Sequence, residues 1–190
     1  MSLNHYLFLY ELRDLHRAEE RFPDGLWHAM QSVTSVECKD ALSKLMDQTL
    51  VHAVRLDQVF KLIRVTPVAS PCPIMDTLII KAEQQKATDS HLQNQLMVQV
   101  VEEMINYLVG AYVTTHAYAS LLPQNTVEHI LESSLREKEA SSKQFHQLAL
   151  KSKIQPWKTK AATERPHFTP YQKVQPTRMK RGLEAPLSLT

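Results

Sequence analysis

The sequence predicts an all-α protein, a four-helix bundle with an extended appendage. Three observations carry this. The 190 residues include only three Gly and few aromatics, against many Leu, Gln, Glu and Lys, a composition suited to helices and not to sheet. Apolar residues recur at helical spacing through four long segments, each giving one buried face. The third is a split in charge and proline. Residues 151–190 hold nine Lys/Arg against Glu164 and Glu184, a net +7, and five of the ten prolines, whereas residues 1–150 are net −5.

The first helix is expected from about Leu3 to Met30, with Phe8, Leu12, Leu15, Glu19, Phe22 and Leu26 inward. A carboxylate within an apolar stripe requires a partner. Pro23 removes the donor to the Glu19 carbonyl and Gly25 follows closely, so a kink or break is expected there. The second helix opens at a capping box, Thr34 to Glu37, and runs to about Arg64. Its stripe is Leu42, Leu45, Thr49, His52, Leu56, Val59 and Ile63.

A long connection follows, with Pro71-Cys72-Pro73 as a turn and a short helix near 74–84. The third long helix spans about Asp89 to Leu121, with Met97, Val101, Ile105, Leu108, Tyr112 and Thr115 inward. Pro123 ends it. A second capping box, Asn125 to Glu128, opens the last helix, whose face is Val127, Leu131, Leu135, Lys138, Ser142, Phe145 and Ala149. Two helical hairpins joined by one long crossover are the connectivity of ferritin-like bundles. The boundaries expected are 1–152 for the bundle and 153–190 for a basic, Pro-rich tail, extended or disordered when alone.

Five motifs in order resemble the YciF-like ferritin-like family of bacteria, over roughly residues 4–150. They are Glu11-Leu-Arg-Asp-Leu-His-Arg-Ala-Glu19, the run Thr49 to Phe60 containing His52, Cys72-Pro-Ile-Met75 with Leu78, Gly110-Ala-Tyr-Val-Thr114, and Leu135-Arg-Glu-Lys-Glu-Ala140. The resemblance implies a di-metal carboxylate site and pairing into dimers. Carrying the family's acidic positions over gives Glu19 and His52 as residual metal candidates. Gln48, Ile105, Leu108, Lys138 and Ser142 stand at the others. A site of this type uses four carboxylates and two histidines, so no metal is expected, with iron as the alternative. The expected replacement is a core polar network of Glu19, Gln48, His52 and Lys138. In the opposing reading Pro23 turns Glu19 to solvent and Lys138 snorkels outward. Glu102 and Glu103 are expected on a solvated face.

No phosphate loop or nucleophile motif occurs, and catalysis is not expected. Cys38 and Cys72 form no disulfide framework. No apolar run is expected to reach a membrane span, and no signal peptide is read at the start. A cytoplasmic protein follows. The tail interleaves Trp157, Phe168 and Tyr171 with Lys158, Lys160, Arg165, Lys173, Arg178, Lys180 and Arg181. Such a segment suits a protein partner or an anionic surface; no motif supports nucleic acid. The function expected is a non-catalytic structural or interaction protein, with a metal-binding stress-response protein as the alternative.

Overall fold

The structure, a computed structural model, describes residues 3–68, 71–123 and 125–153. The described residues are helical throughout their regular elements, as the sequence predicts: α1 (Leu3–Ser32), α2 (Val36–Leu62), α3 (Pro73–Gln84), α4 (Ser90–Ala119) and α5 (Asn125–Lys153). The tail expected at 153–190 lies outside the described residues beyond Lys153.

The four long helices form a ring in the order α1, α2, α5, α4, and α3 packs on α1 and α4. Side-chain contacts give the directions. His16 reaches Asp57 while Glu19 reaches His52, so α1 and α2 are antiparallel. His146 meets Glu102 and His116 meets Glu128, so α4 and α5 are antiparallel too. The crossover through α3 returns the chain along the bundle, and α2 and α4 therefore run in the same sense. In this ring α1 and α5 face each other across a diagonal. The predicted stripes meet inside: Phe8, Phe22, Tyr112 and Phe145 are among the largest fully buried side chains, and Phe60, not on the predicted stripe of α2, is buried with them.

Four local expectations are corrected. First, α1 continues unbroken through Pro23. One backbone hydrogen bond is lost there, but Phe22 and Leu26 on either side are wholly buried, and their burial holds the helix together. Second, the cap of α2 is Ser35, whose Oγ accepts from the Cys38 N–H. Thr34 is drawn off by α4, its N–H donating to Asn94 Oδ1 at 2.7 Å, and Glu37 pairs with Lys151. Third, α2 stops at Leu62: the Arg64 N–H bonds the Lys61 carbonyl and the Val65 N–H bonds the Phe60 carbonyl. This is the Schellman pattern, with Arg64 at the left-handed position, φ 55°. Fourth, α4 is long and apolar enough by length and composition to cross a membrane. Its Met97, Val101, Ile105 and Leu108 are spent inside the bundle.

Two backbone positions yield a test. Gly110 lies mid-helix in α4, and a Cβ there meets nothing within 4 Å. Gly110→Ala is expected to stabilise the protein by about 0.5–1 kcal/mol. Arg64→Gly, which relieves the left-handed residue, is expected to add up to about 1 kcal/mol. Urea unfolding of both variants checks the pair; a loss of stability in either would mean that the backbone differs there.

Candidate functional site: a buried ion pair on the bundle axis

The centre of the bundle is polar. Glu19 from α1 is 1% exposed, Lys138 from α5 is 0% exposed, and the Lys138 ammonium lies 2.9 Å from Glu19 Oε1 and 3.3 Å from Oε2. The pair spans the α1–α5 diagonal. The Phe22 ring closes the other side of the ammonium, its centroid 4.8 Å from Nζ, which adds a cation–π contact.

His52 of α2 is wholly buried and links this pair to the surface. Its Nδ1 is 3.4 Å from Glu19 Oε1, and its Nε2 is 2.9 Å from Glu137 Oε2. Glu137, on the residue before Lys138, is half-exposed and takes a two-pronged contact from the Arg55 guanidinium at 2.8 and 2.9 Å, the strong geometry for this pairing. Arg55 Nη1 also donates to Ser134 Oγ at 3.3 Å. Glu137, Arg55 and Ser134 were missed in the sequence. The signal was present: Arg55 stands three residues after His52 and Glu137 beside Lys138, so each shares a helix edge with a core residue.

The other sequence-derived positions resolve differently. Ile105 and Leu108 are wholly buried, as aliphatic wall. Gln48 is not in contact with Glu19: its amide nitrogen reaches the Glu137 carbonyl at 3.4 Å and its oxygen accepts from Ser141 at 2.8 Å. It braces α2 on α5 one turn away. Ser142 is not inward; it donates to Asn106 Oδ1 at the α4–α5 edge, and Ser141 takes the buried position. The helical phase set by Lys138 and Phe145 leaves Ser142 off-axis. Glu102 meets His146 at 2.8 Å and Glu103 is ion-paired with Lys81 at 2.6 Å, so both side chains on the face expected to be simply solvated have partners. The tail residues Trp157 to Arg181 lie outside the described residues.

The electrostatics follow from burial against charge. Burial raises the Glu19 carboxyl, but the Lys138 charge and the His52 contact outweigh it and hold the group below the ordinary glutamate range. Burial draws the Lys138 ammonium below the ordinary lysine range, with Glu19 and then Glu137 opposing. The short contact within the pair marks it as ionic. The Arg55 guanidinium keeps Glu137 low as well. Beside them the Tyr112 phenol is pushed well above the ordinary tyrosine range by burial and by the Glu19 charge. Its hydroxyl, close to Glu19 and Ser134, has no hydrogen-bond partner of good geometry among the described residues. Tyr112 therefore stays a neutral phenol, edge-on to the His52 ring at 5.9 Å.

A di-iron carboxylate centre does not fit this donor set. Among the described residues no three His, Cys, Asp or Glu side chains are placed to hold one metal ion. Glu19 and Glu137 lie on opposite edges of the His52 ring, and each already has a cationic partner. Lys138 puts positive charge on the one carboxylate at the centre.

Two outcomes test the pair. Lys138→Met is expected to cost about 3–5 kcal/mol, because it leaves a buried carboxylate uncompensated, and Glu19→Gln in that background is expected to recover much of it. A double-mutant cycle with coupling near zero would contradict the geometry. The pH dependence has a definite sign. Glu19, lowered in the fold, contributes stability present above the ordinary glutamate pKa and lost as pH falls through its folded value. Removal of Lys138 leaves burial as the largest influence on Glu19 and raises it. The deficit of Lys138→Met should therefore shrink as pH falls from 7 toward about 4.5. Denaturant titrations at several pH values read this directly, and a deficit constant with pH would mean that Glu19 is not the group left uncompensated.

The chain resembles solved structures across the bundle. The E. coli stress protein YciF matches with TM-score 0.76 and 18% identity, covering 82% of this chain and 99% of that one. YcfI from Rhodopseudomonas palustris matches with TM-score 0.72 and 25% identity, over 77% and 94%. A ferritin-like diiron-carboxylate protein from Bacillus anthracis str. Ames matches with TM-score 0.62 and 15% identity, over 78% and 99%. No curated protein sequence matches the chain. These likenesses establish the ferritin-like fold. The model of the domain of unknown function DUF892 matches residues 4–156, most of the sequence, and the chain belongs to that family.

Proposed function

We propose that this protein is a non-catalytic, ferritin-like structural and interaction component of the cytoplasm, with its metal position taken over by an internal ion pair. One observation carries the proposal: the Lys138 ammonium sits on Glu19 at 2.9 Å in a wholly buried position. A metal ion there would have to displace a charge-matched partner and meet a like charge in a low-dielectric core. Ile105 and Leu108, fully buried nearby on α4, supply no oxygen or nitrogen to an incoming cation. The alternative of a metal-binding stress-response protein would need both obstacles overcome.

In this reading the bundle is a scaffold and the basic tail makes the partner contact. The body is net acidic and the tail carries +7 with Trp157, Phe168 and Tyr171 set between prolines. Positively charged extended segments with aromatic anchors bind acidic protein grooves or anionic surfaces, gaining affinity as they order. Self-association into a dimer belongs to the same proposal.

Metal analysis is the decisive experiment. Protein purified from iron-supplemented cells is expected to hold much less than one iron per chain and to oxidise no added ferrous iron. Two tightly held metal ions per chain by elemental analysis would reverse the reading. In the intact chain, joint substitution of Trp157, Phe168 and Tyr171 by Ala is expected to abolish co-purification of the native partner while leaving the helical signal unchanged.

A further inference from the structure

The outward side of α1 meets α3 along a cleft of about 310 Å³, at the lower end of the sizes that hold small molecules. The two helices run parallel here: Arg21 reaches Asp76 at 2.8 Å, and one turn on Gly25 lies against Ile79. Asp76 and Glu83 stand seven residues apart on α3, so they share one edge of the helix, about 10 Å apart along its axis. Ile79 and Ile80 lie between them in the lining, Ile79 buried and Ile80 49% exposed. From α1, Trp27 enters the same lining and is 55% exposed, a large aromatic surface left in water. The His28 ring stands nearly perpendicular to it, with centroids 5.1 Å apart, and limits how far the indole can turn.

The charges sit at the two ends of this apolar floor. At one end Arg21 contacts both Asp76 and Asp24, so two carboxylates share one guanidinium and one net negative charge remains. At the other end Glu83 is exposed and has no ion pair among the described residues. The cleft is therefore negative at each end and apolar between.

That pattern discriminates among cations. A hydrated metal ion gains nothing from Trp27 and Ile80, and among the described residues no three His, Cys, Asp or Glu side chains are placed to hold one. A single ammonium answers one end only. A methylene chain with an ammonium near each end answers every part. Its stem covers Ile80 as a lysine stem covers apolar surface. One ammonium lies against the Trp27 face beside Glu83, and the other reaches Asp24 and Asp76. Alkyl ammoniums keep their charge at pH 7.

From this complementarity we infer that the cleft between α1 and α3 is a binding site for a linear polyamine. The inference depends neither on the metal-free reading nor on the tail contact, and its test touches neither. The site is open to water, so the affinity expected is modest, about 0.1–1 mM.

Spermidine, whose extended length suits the spacing of the two acidic ends, is the probe. Trp27 and Trp157 are the two tryptophans, so in the full chain carrying Trp157→Phe the indole emission reports Trp27 alone. Spermidine should change that emission saturably, and Mg²⁺ at the same concentration of charge should not. Calorimetry of the full chain should give one site, weakened about threefold to tenfold by Glu83→Gln and by Trp27→Ala. Trp27→Phe, which keeps an aromatic face, should retain most of the affinity. All three side-chain changes lie at exposed positions, and an unchanged thermal unfolding curve checks that the bundle is intact. An emission change that never saturates, or that Mg²⁺ reproduces, would mean general screening of an acidic surface and overturn the site. Binding at full strength in both Glu83→Gln and Trp27→Ala would place spermidine elsewhere and overturn it as well. An acetylated Lys-Ala-Ala-Lys peptide that binds more tightly than spermidine would overturn the free polyamine as ligand and assign the cleft to a lysine-bearing protein segment.

Discussion

A carboxylate buried at the centre of a helical bundle must be met by positive charge, and the rest of this structure is arranged around that demand. Glu19 is 1% exposed within the apolar stripe of α1. Left alone it would either protonate or unfold its surroundings. Lys138 supplies the charge from the helix diagonally opposite. α1 and α5 are separated by most of the sequence and are not ring neighbours, so this contact fixes their relative height as the apolar stripes cannot. Leu against Leu tolerates sliding by a turn; an ammonium 2.9 Å from a carboxylate does not. The stabilisation is modest once desolvation is counted, and we hypothesise that the pair contributes register more than net free energy. A bundle that kept its helical register after joint replacement of Glu19 and Lys138 by apolar residues would refute this.

The network beyond the pair shows how two buried charges are kept from isolation. His52 has both ring nitrogens engaged, one on Glu19 and one on Glu137, and Glu137 in turn holds Arg55 near the surface. Polar atoms therefore run without a gap from the axis to solvent between α2 and α5. The α4 side of the centre is different. There Ile105, Leu108 and Tyr112 close the wall, and the Tyr112 hydroxyl has no hydrogen-bond partner of good geometry among the described residues. A buried hydroxyl without good hydrogen-bond geometry is costly, and here it lies beside the Glu19 charge.

How much of this was legible in the sequence depends on what encodes it. Periodicity placed the four long helices, and the inward positions expected on α4 from Met97 to Thr115 are all buried, with Val98, Val100 and Met104 buried beside them and not foreseen. Local rules failed where another helix intervened. Thr34 begins a good capping sequence, but Asn94 of α4 takes its backbone N–H, and the cap passes to Ser35. Pro23 reads as a break, yet packing on both sides carries α1 through it. Ser142 was assigned inward by counting from Lys138 in steps of three and four; both steps are helical, and only the neighbours decide which residue faces the axis. Glu19 and Lys138 were visible as charged residues on apolar stripes, whereas Glu137 and Arg55 were not, because a half-exposed acid and base look like any solvated face until the helices are brought together.

The exchange of a metal for an ammonium, as proposed here, has a physical consequence for the order in which residues can change. Lys138 alone, beside the other carboxylates of such a site, would meet more negative charge than it could balance. Ile105 and Leu108 alone would remove two acids and leave the remaining ones to a metal that could no longer be held. The charges balance only when the acids are lost and the cation gained together. Restoring one acid at Ile105 would therefore bury an extra negative charge near Tyr112 without creating a site, and restoring Glu at position 138 would set two carboxylates against each other with only His52 between them. Either substitution should cost stability whether or not iron is supplied, since among the described residues no three donors are placed to hold an ion. The constraint that organises the fold is charge neutrality at the axis, and the bundle satisfies it with residues that cannot be exchanged one at a time.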